Sequence, residues 1–77
     1  MREQVIAIIA EALGIVPEKV TDDLAVYDIP EWGSIAQMQI ITTLEDRLQF
    51  KFPVTELYKL TNVRTIADAV CALTQKG

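Results

Sequence analysis

Apolar residues recur at helical spacing from the start of the chain. Between Arg2 and Leu13, the side chains of Val5, Ile6, Ile8, Ile9, Ala12 and Leu13 fall within an arc of about 160° on a helical wheel, which predicts an amphipathic helix. Gly14 stands where a left-handed residue ends a helix, and Pro17 blocks any continuation. From Ile15 to Gly33 no period is sustained. Pro17-Glu18 and Thr21-Asp22-Asp23 read as turns, but Val16, Val20, Leu24, Val26, Tyr27 and Ile29 are too apolar for a loose linker. This connection is therefore expected to pack down, and its length points to a functional role or to a short helix of its own.

A second patterned run, Ser34 to Leu48, contains neither Gly nor Pro and is long enough for about four helical turns. Its apolar positions divide into two sets. Ile40, Ile41, Leu44 and Leu48 lie within about 100° of one another and form a core face, whereas Ile35 and Met38 share the opposite side with Gln39, Thr42, Glu45 and Asp46. After it, Phe50-Lys51-Phe52 alternates like a strand too short to find a partner. Pro53 ends it, and both rings read as core. A short helical turn is predicted from Thr55 to Leu60, begun by Pro53 or Thr55. The last helix is predicted to open at Thr65 and run to about Gln75, burying Ile66, Ala69, Val70 and Leu73, with Cys71 a small helix residue beside that stripe. The expected fold is all-α: a small bundle of three main helices plus one short helix in a single domain spanning residues 1–77, with the first, second and fourth helices forming the bundle.

Composition narrows the function. At 77 residues and 51% hydrophobic, the chain is long and apolar enough to build one core and not to remain disordered. A net charge of −4 argues against nucleic acid and anionic membrane surfaces and for basic protein partners. No segment is long enough to insert in a membrane, and the amino terminus lacks a signal-peptide pattern. One cysteine permits no internal disulfide, which suits the cytoplasm. The absence of histidine removes any Ser–His nucleophile and any imidazole metal site. The adjacent carboxylates Asp22-Asp23 and Glu45-Asp46 read as solvated charge, and no Gly-rich phosphate loop occurs. Neither intrinsic catalysis nor a metal site is expected.

What remains is Ser34, where the long loop runs into the second helix. As an N-cap its hydroxyl would accept a bond from a first-turn N–H and contribute roughly 1 kcal/mol. The apolar pair Ile35 and Met38 beside it, on a face that the period leaves in water, reads better as a docking surface. Tyr27 and Trp32 could be ligand-binding aromatics, but large rings in so small a chain are more often core or loop anchors, and are read so here.

A serine opening a helix, followed by Leu44-Glu45-Asp46-Arg47-Leu48-Gln49-Phe50-Lys51-Phe52-Pro53, resembles the acyl carrier protein family. Leu13-Gly14-Ile15-Val16-Pro17-Glu18-Lys19-Val20 is similar to the end of that family's first helix and the turn after it. Leu60-Thr61-Asn62-Val63-Arg64-Thr65-Ile66-Ala67-Asp68-Ala69-Val70 is similar to its closing segment. The resemblance implies that Ser34 carries 4′-phosphopantetheine, a covalent phosphoprotein linkage derived from coenzyme A, whose thiol holds acyl or aminoacyl groups as thioesters. It implies a phosphopantetheinyl transferase and acyl-activating and acyl-transferring enzymes as partners, and the face that the helical period leaves in water, Ile35, Met38, Gln39, Thr42, Glu45 and Asp46, is where they are expected to dock. One departure stands out: Gly33-Ser34-Ile35 replaces the family's usual Asp-Ser-Leu, removing a carboxylate that the resemblance assigns to engaging the transferase and its metal. The usual acidity of the second helix is also thin, leaving Glu45 and Asp46 near its end. That points to a specialised route, such as a secondary metabolite (polyketide or nonribosomal peptide) or cell-surface modification, beside fatty acid synthesis. An initial Met1 and a complete bundle favour a free-standing monomer. The alternative is an unmodified helical adaptor using the same face. Gln37, on the core arc beside Ile40 and Ile41, would either lie next to a cargo sheltered in the bundle or be satisfied by the loop.

Overall fold

The computed structural model describes residues 1–74. Three α-helices, α1 (Arg2–Leu13), α2 (Ser34–Leu48) and α3 (Val63–Thr74), are joined by connections that carry short 3-10 segments at Pro17–Lys19 and Val54–Lys59. The all-α bundle is as expected, with α1 packed against both α2 and α3. Val5, Ile9, Ile40, Leu44, Val63, Ile66 and Val70 are buried in one core.

Each helix begins or ends for a local reason. Gly14 closes α1 at φ 70°, with its N–H and that of Ile15 turning back onto the last carbonyls of the helix, which only a residue without a Cβ does at little cost. α2 ends on Gln49 in the same left-handed region, at φ 57°, a conformation that Gln adopts less readily than Gly. The start of α3 lies two residues before the predicted Thr65. Asn62 caps it: its side-chain oxygen accepts the Thr65 N–H at 2.8 Å, while the Thr65 hydroxyl accepts the Asn62 N–H at 3.3 Å, a reciprocal capping box that makes Thr65 a first-turn residue. Of the four residues expected to be buried on α3, Ile66 and Val70 are, Ala69 is half-buried, and Leu73 is 39% exposed. The predicted end at Gln75 lies outside the described residues.

The long loop is packed down as its composition suggested. The Val26 N–H donates to Thr61 O at 2.9 Å and the Val63 N–H to Leu24 O at 2.9 Å, around a single bridge between Ala25 and Asn62. Asp22 joins Arg2 of α1 to Arg64 of α3. The loop's first half carries the 3-10 turn Pro17–Lys19, Val20 is buried, and Val16 stays exposed. The short helical turn predicted at Thr55–Leu60 is the 3-10 segment starting one residue earlier, with Pro53 at its cap. Phe50 and Phe52 pack edge to face with centroids 4.7 Å apart, and Phe52 is buried.

The ion pair of Arg47 with Glu11, at 2.8 Å, links the outer sides of α1 and α2. The Arg47 hydrogen bond holds the Glu11 carboxyl below its usual value. Its contribution to stability is present at neutral pH and is lost as pH falls through that lowered pKa. Solvent keeps it small, so packing and caps decide stability here. Asn62→Ala should therefore cost about 1 kcal/mol, lowering the melting temperature by roughly 4–8 °C in a thermal denaturation followed by circular dichroism.

Candidate functional site

Ser34 is exposed at the first turn of α2, but it is not the cap. Gly33 is: its backbone is extended at φ −101°, ψ −164°, and its carbonyl accepts the first helical bond from Gln37 N–H at 2.9 Å. The expected cap bond from the Ser34 hydroxyl is absent. A residue already inside the helix points its side chain outward over the turn, away from the first N–H groups, and among the described residues this hydroxyl has no partner. Two consequences follow for chemistry. The hydroxyl is open to an incoming reagent, and the amides opening α2 have no intrahelical acceptors and no acidic side chain in the first turn to neutralise them.

The approach to the serine is rigidly built. The Tyr27 N–H donates to Trp32 O at 2.7 Å, the Trp32 N–H to Ile29 O at 3.1 Å and the Asp28 N–H to Ala25 O at 3.0 Å, while the Asp28 carboxylate accepts the Ala25 N–H at 2.9 Å. Trp32 is fully buried, as a loop anchor should be. Tyr27 is not. It stands 71% exposed at φ 72°, so its ring anchors nothing, and the left-handed conformation is held by the turn that the loop makes around Trp32.

The Trp32 indole N–H, carried into the core with its ring, donates to Gln37 Oε1 at 2.7 Å, and Gln37 Nε2 donates to Leu60 O at 2.6 Å. One amide thus joins the loop, α2 and the end of the second 3-10 segment, one helical turn beyond Ser34. Left unpaired, a buried donor or acceptor costs about 1–3 kcal/mol, so this bridge is substantial for a small domain. The loop satisfies Gln37, one of the two alternatives its place on the core arc had left.

The other expected docking residues divide. Ile35 is 77% and Met38 68% exposed, with Gln39, Thr42 and Asp46 also in water on that side of α2. Glu45 departs from the expectation: its Oε2 accepts the Phe52 N–H at 2.9 Å, so it is half-buried and fastens the segment after α2. Sequence periodicity missed that Val54 and Tyr58 are also exposed, because a 3-10 segment does not follow the α-helical period. Met38, Ile41, Val54 and Leu57 line a groove of about 460 Å³ between α2 and that segment. Among the described residues no cluster could hold a metal ion, and no helix is long and apolar enough to cross a membrane.

Comparison with known proteins bears on the family and the fold. A family model described as a phosphopantetheine attachment site matches residues 3–70. The solution NMR structure of a holo acyl carrier protein from Geobacter metallireducens is similar over 94% of this chain and 83% of its own, with a TM-score of 0.82 and 29% sequence identity.

Since Ser34 makes no cap bond, Ser34→Ala should change unfolding free energy by less than about 0.5 kcal/mol, well short of a lost cap. Gly33 is not in a left-handed conformation, and a Cβ there would meet nothing within 4 Å. Gly33→Asp should accordingly stabilise by a few tenths of a kcal/mol, since Asp is the better cap. Denaturant titration of both variants checks the pair.

Proposed function

The chain belongs to the phosphopantetheine attachment family, and on that premise we propose that Ser34 is its attachment point and that residues 1–77 act as one acyl carrier domain. As a carrier its cofactor is 4′-phosphopantetheine. The observation that carries the assignment is Ser34 itself, an exposed hydroxyl without an internal partner at the amide end of α2. The residues fit the group. A phosphodiester on Ser34 would meet the positive end of the α2 dipole with no side-chain carboxylate in that first turn, and Gly33 leaves open space beside it. When bound, the cofactor supplies a thiol on a flexible arm that holds the cargo as a thioester. The chain itself orients the serine, tolerates the anion and offers a surface. We assign it no catalysis of its own.

A carrier works in transit between enzymes, here in the cytoplasm: the transferase that modifies Ser34, then enzymes that activate an acyl or aminoacyl group and enzymes that take it on. Ile35 and Met38 serve as the apolar anchors of that docking, with Gln39, Thr42 and Asp46 around them. Glu45, tied to Phe52, leaves Asp46 as the acidic group of α2 least committed to the fold. So small a charge supports a specialised partner set, serving a secondary-metabolite or cell-surface route, over bulk fatty acid synthesis.

Incubation with coenzyme A and a broad-specificity transferase should add one phosphopantetheine to Ser34, read by intact mass and peptide mapping, and Ser34→Ala should abolish it. An unchanged mass with every transferase would favour an unmodified helical adaptor. If the missing carboxylate matters, Gly33→Asp will be labelled faster than the parent.

Docking is tested separately. Ile35→Ala or Met38→Ala should leave stability within about 0.5 kcal/mol. Each should weaken acceptance by a partner enzyme at least about fivefold, as loss of a central apolar anchor worth more than 1 kcal/mol does. Asp46→Lys should instead mainly slow association and reduce its salt dependence.

A further inference from the structure

The interior of the bundle is closed beside Ser34 by polar chemistry. Gln37 follows the serine by one helical turn, and its amide spans from the Trp32 indole at 2.7 Å to the Leu60 carbonyl at 2.6 Å, so it crosses the seam between α2 and the second 3-10 segment. Trp32 is fully buried and Leu60 nearly so. A chain entering the core by this seam would have to part both bonds and strand an indole N–H and a carbonyl where no water reaches them. The rest of the core offers no compensation, since its buried residues form one continuous apolar cluster and no buried side-chain polar atom among the described residues lacks a partner.

We propose that Gln37 is a polar clasp that bars the bundle interior to the cargo, so that this carrier holds short or polar acyl or aminoacyl groups outside its core and gives a long alkyl chain no place within that core. The proposal rests on attachment at Ser34. Gln37 acts here as a specificity-determining residue, because it decides which cargo the folded protein can protect and performs no chemistry.

The test loads Ser34 with phosphopantetheine bearing acetyl, alanyl or octanoyl groups, supplied as the corresponding coenzyme A thioesters. Intact mass establishes loading first. Failure at that step speaks against Ser34 as the attachment point and leaves the clasp to be judged on the same protein alkylated with an octyl group at a cysteine placed by Ser34→Cys, in a Cys71→Ala background. With loading achieved, the parent protein should melt at the same temperature with all three cargoes, and its Trp32 indole and Gln37 amide resonances should not move. Gln37→Leu, or Trp32→Phe if that variant does not fold, should let the octanoyl form alone gain several degrees and shift the resonances of Leu44, Val63 and Ile66. Octanoyl-dependent stabilisation of the parent with shifts at those core residues would overturn the proposal. So would folded forms of both variants that stay as closed to octanoyl as the parent.

Discussion

Burying a tryptophan immediately before the functional turn creates the constraint on which the site depends. An indole ring brings a large apolar area into the core, but its N–H comes with it and must find an acceptor. The half-buried Gln37 provides one from α2, then uses its own N–H on the carbonyl of Leu60. The loop and the start of α2, five residues apart, are thereby held in register with Leu60, 23 residues further on. At roughly 0.05–0.15 kcal/mol per residue a domain of this size has the stability of a few such interactions, so the bridge between Trp32, Gln37 and Leu60 weighs heavily. Ser34, two residues beyond the buried ring, inherits its position from that arrangement.

The same arrangement explains why α2 can spare one of its faces. Ile40 and Leu44 bury themselves against α1, and Glu45 fastens the following segment through the Phe52 N–H. With the helix secured from that side, Ile35 and Met38 are left in water at no cost to the fold beyond their own hydration. A carrier has to be recognised by several unrelated enzymes, and exposed apolar side chains next to Ser34, the proposed attachment point, would meet that need with very little surface. Extending their area into the groove lined by Val54 and Leu57 is consistent with that economy.

Much of the fold was legible in the sequence because its signals are local. The period of α1, the left-handed Gly14 and the two faces of α2 all follow from neighbours within a turn or so, and these match the structure. Errors occurred where a distant partner or a competing local bond decides. The apolar stripe after Thr65 points to that residue as the start of α3, although Asn62, three residues earlier, is the cap. Glu45 looked like a solvated rim charge because nothing in its own helix reveals that the Phe52 N–H needs an acceptor. Ser34 looked like a cap because serine favours that place, but the extended backbone of Gly33 takes it and shifts the serine one residue into the helix. That shift is what leaves the hydroxyl without an internal bond.

The shift also bears on how a small protein can serve several active sites. A cargo on a flexible arm explores a volume set by the arm, and its effective concentration at an enzyme depends on how well the pivot is held relative to the docked surface. Were Ser34 on a loose loop, the motion of the loop would add to that of the arm and dilute the cargo at every station. Here the pivot belongs to the helix that also carries Ile35 and Met38, and the turn before it is closed by bonds from Tyr27, Asp28 and Trp32. The proposed docking through Ile35 and Met38 would therefore fix the origin of an arm on Ser34 at the same time, because one helix holds all three. On that proposal the arm supplies the reach, and the helix that carries Ser34, Ile35 and Met38 supplies the accuracy.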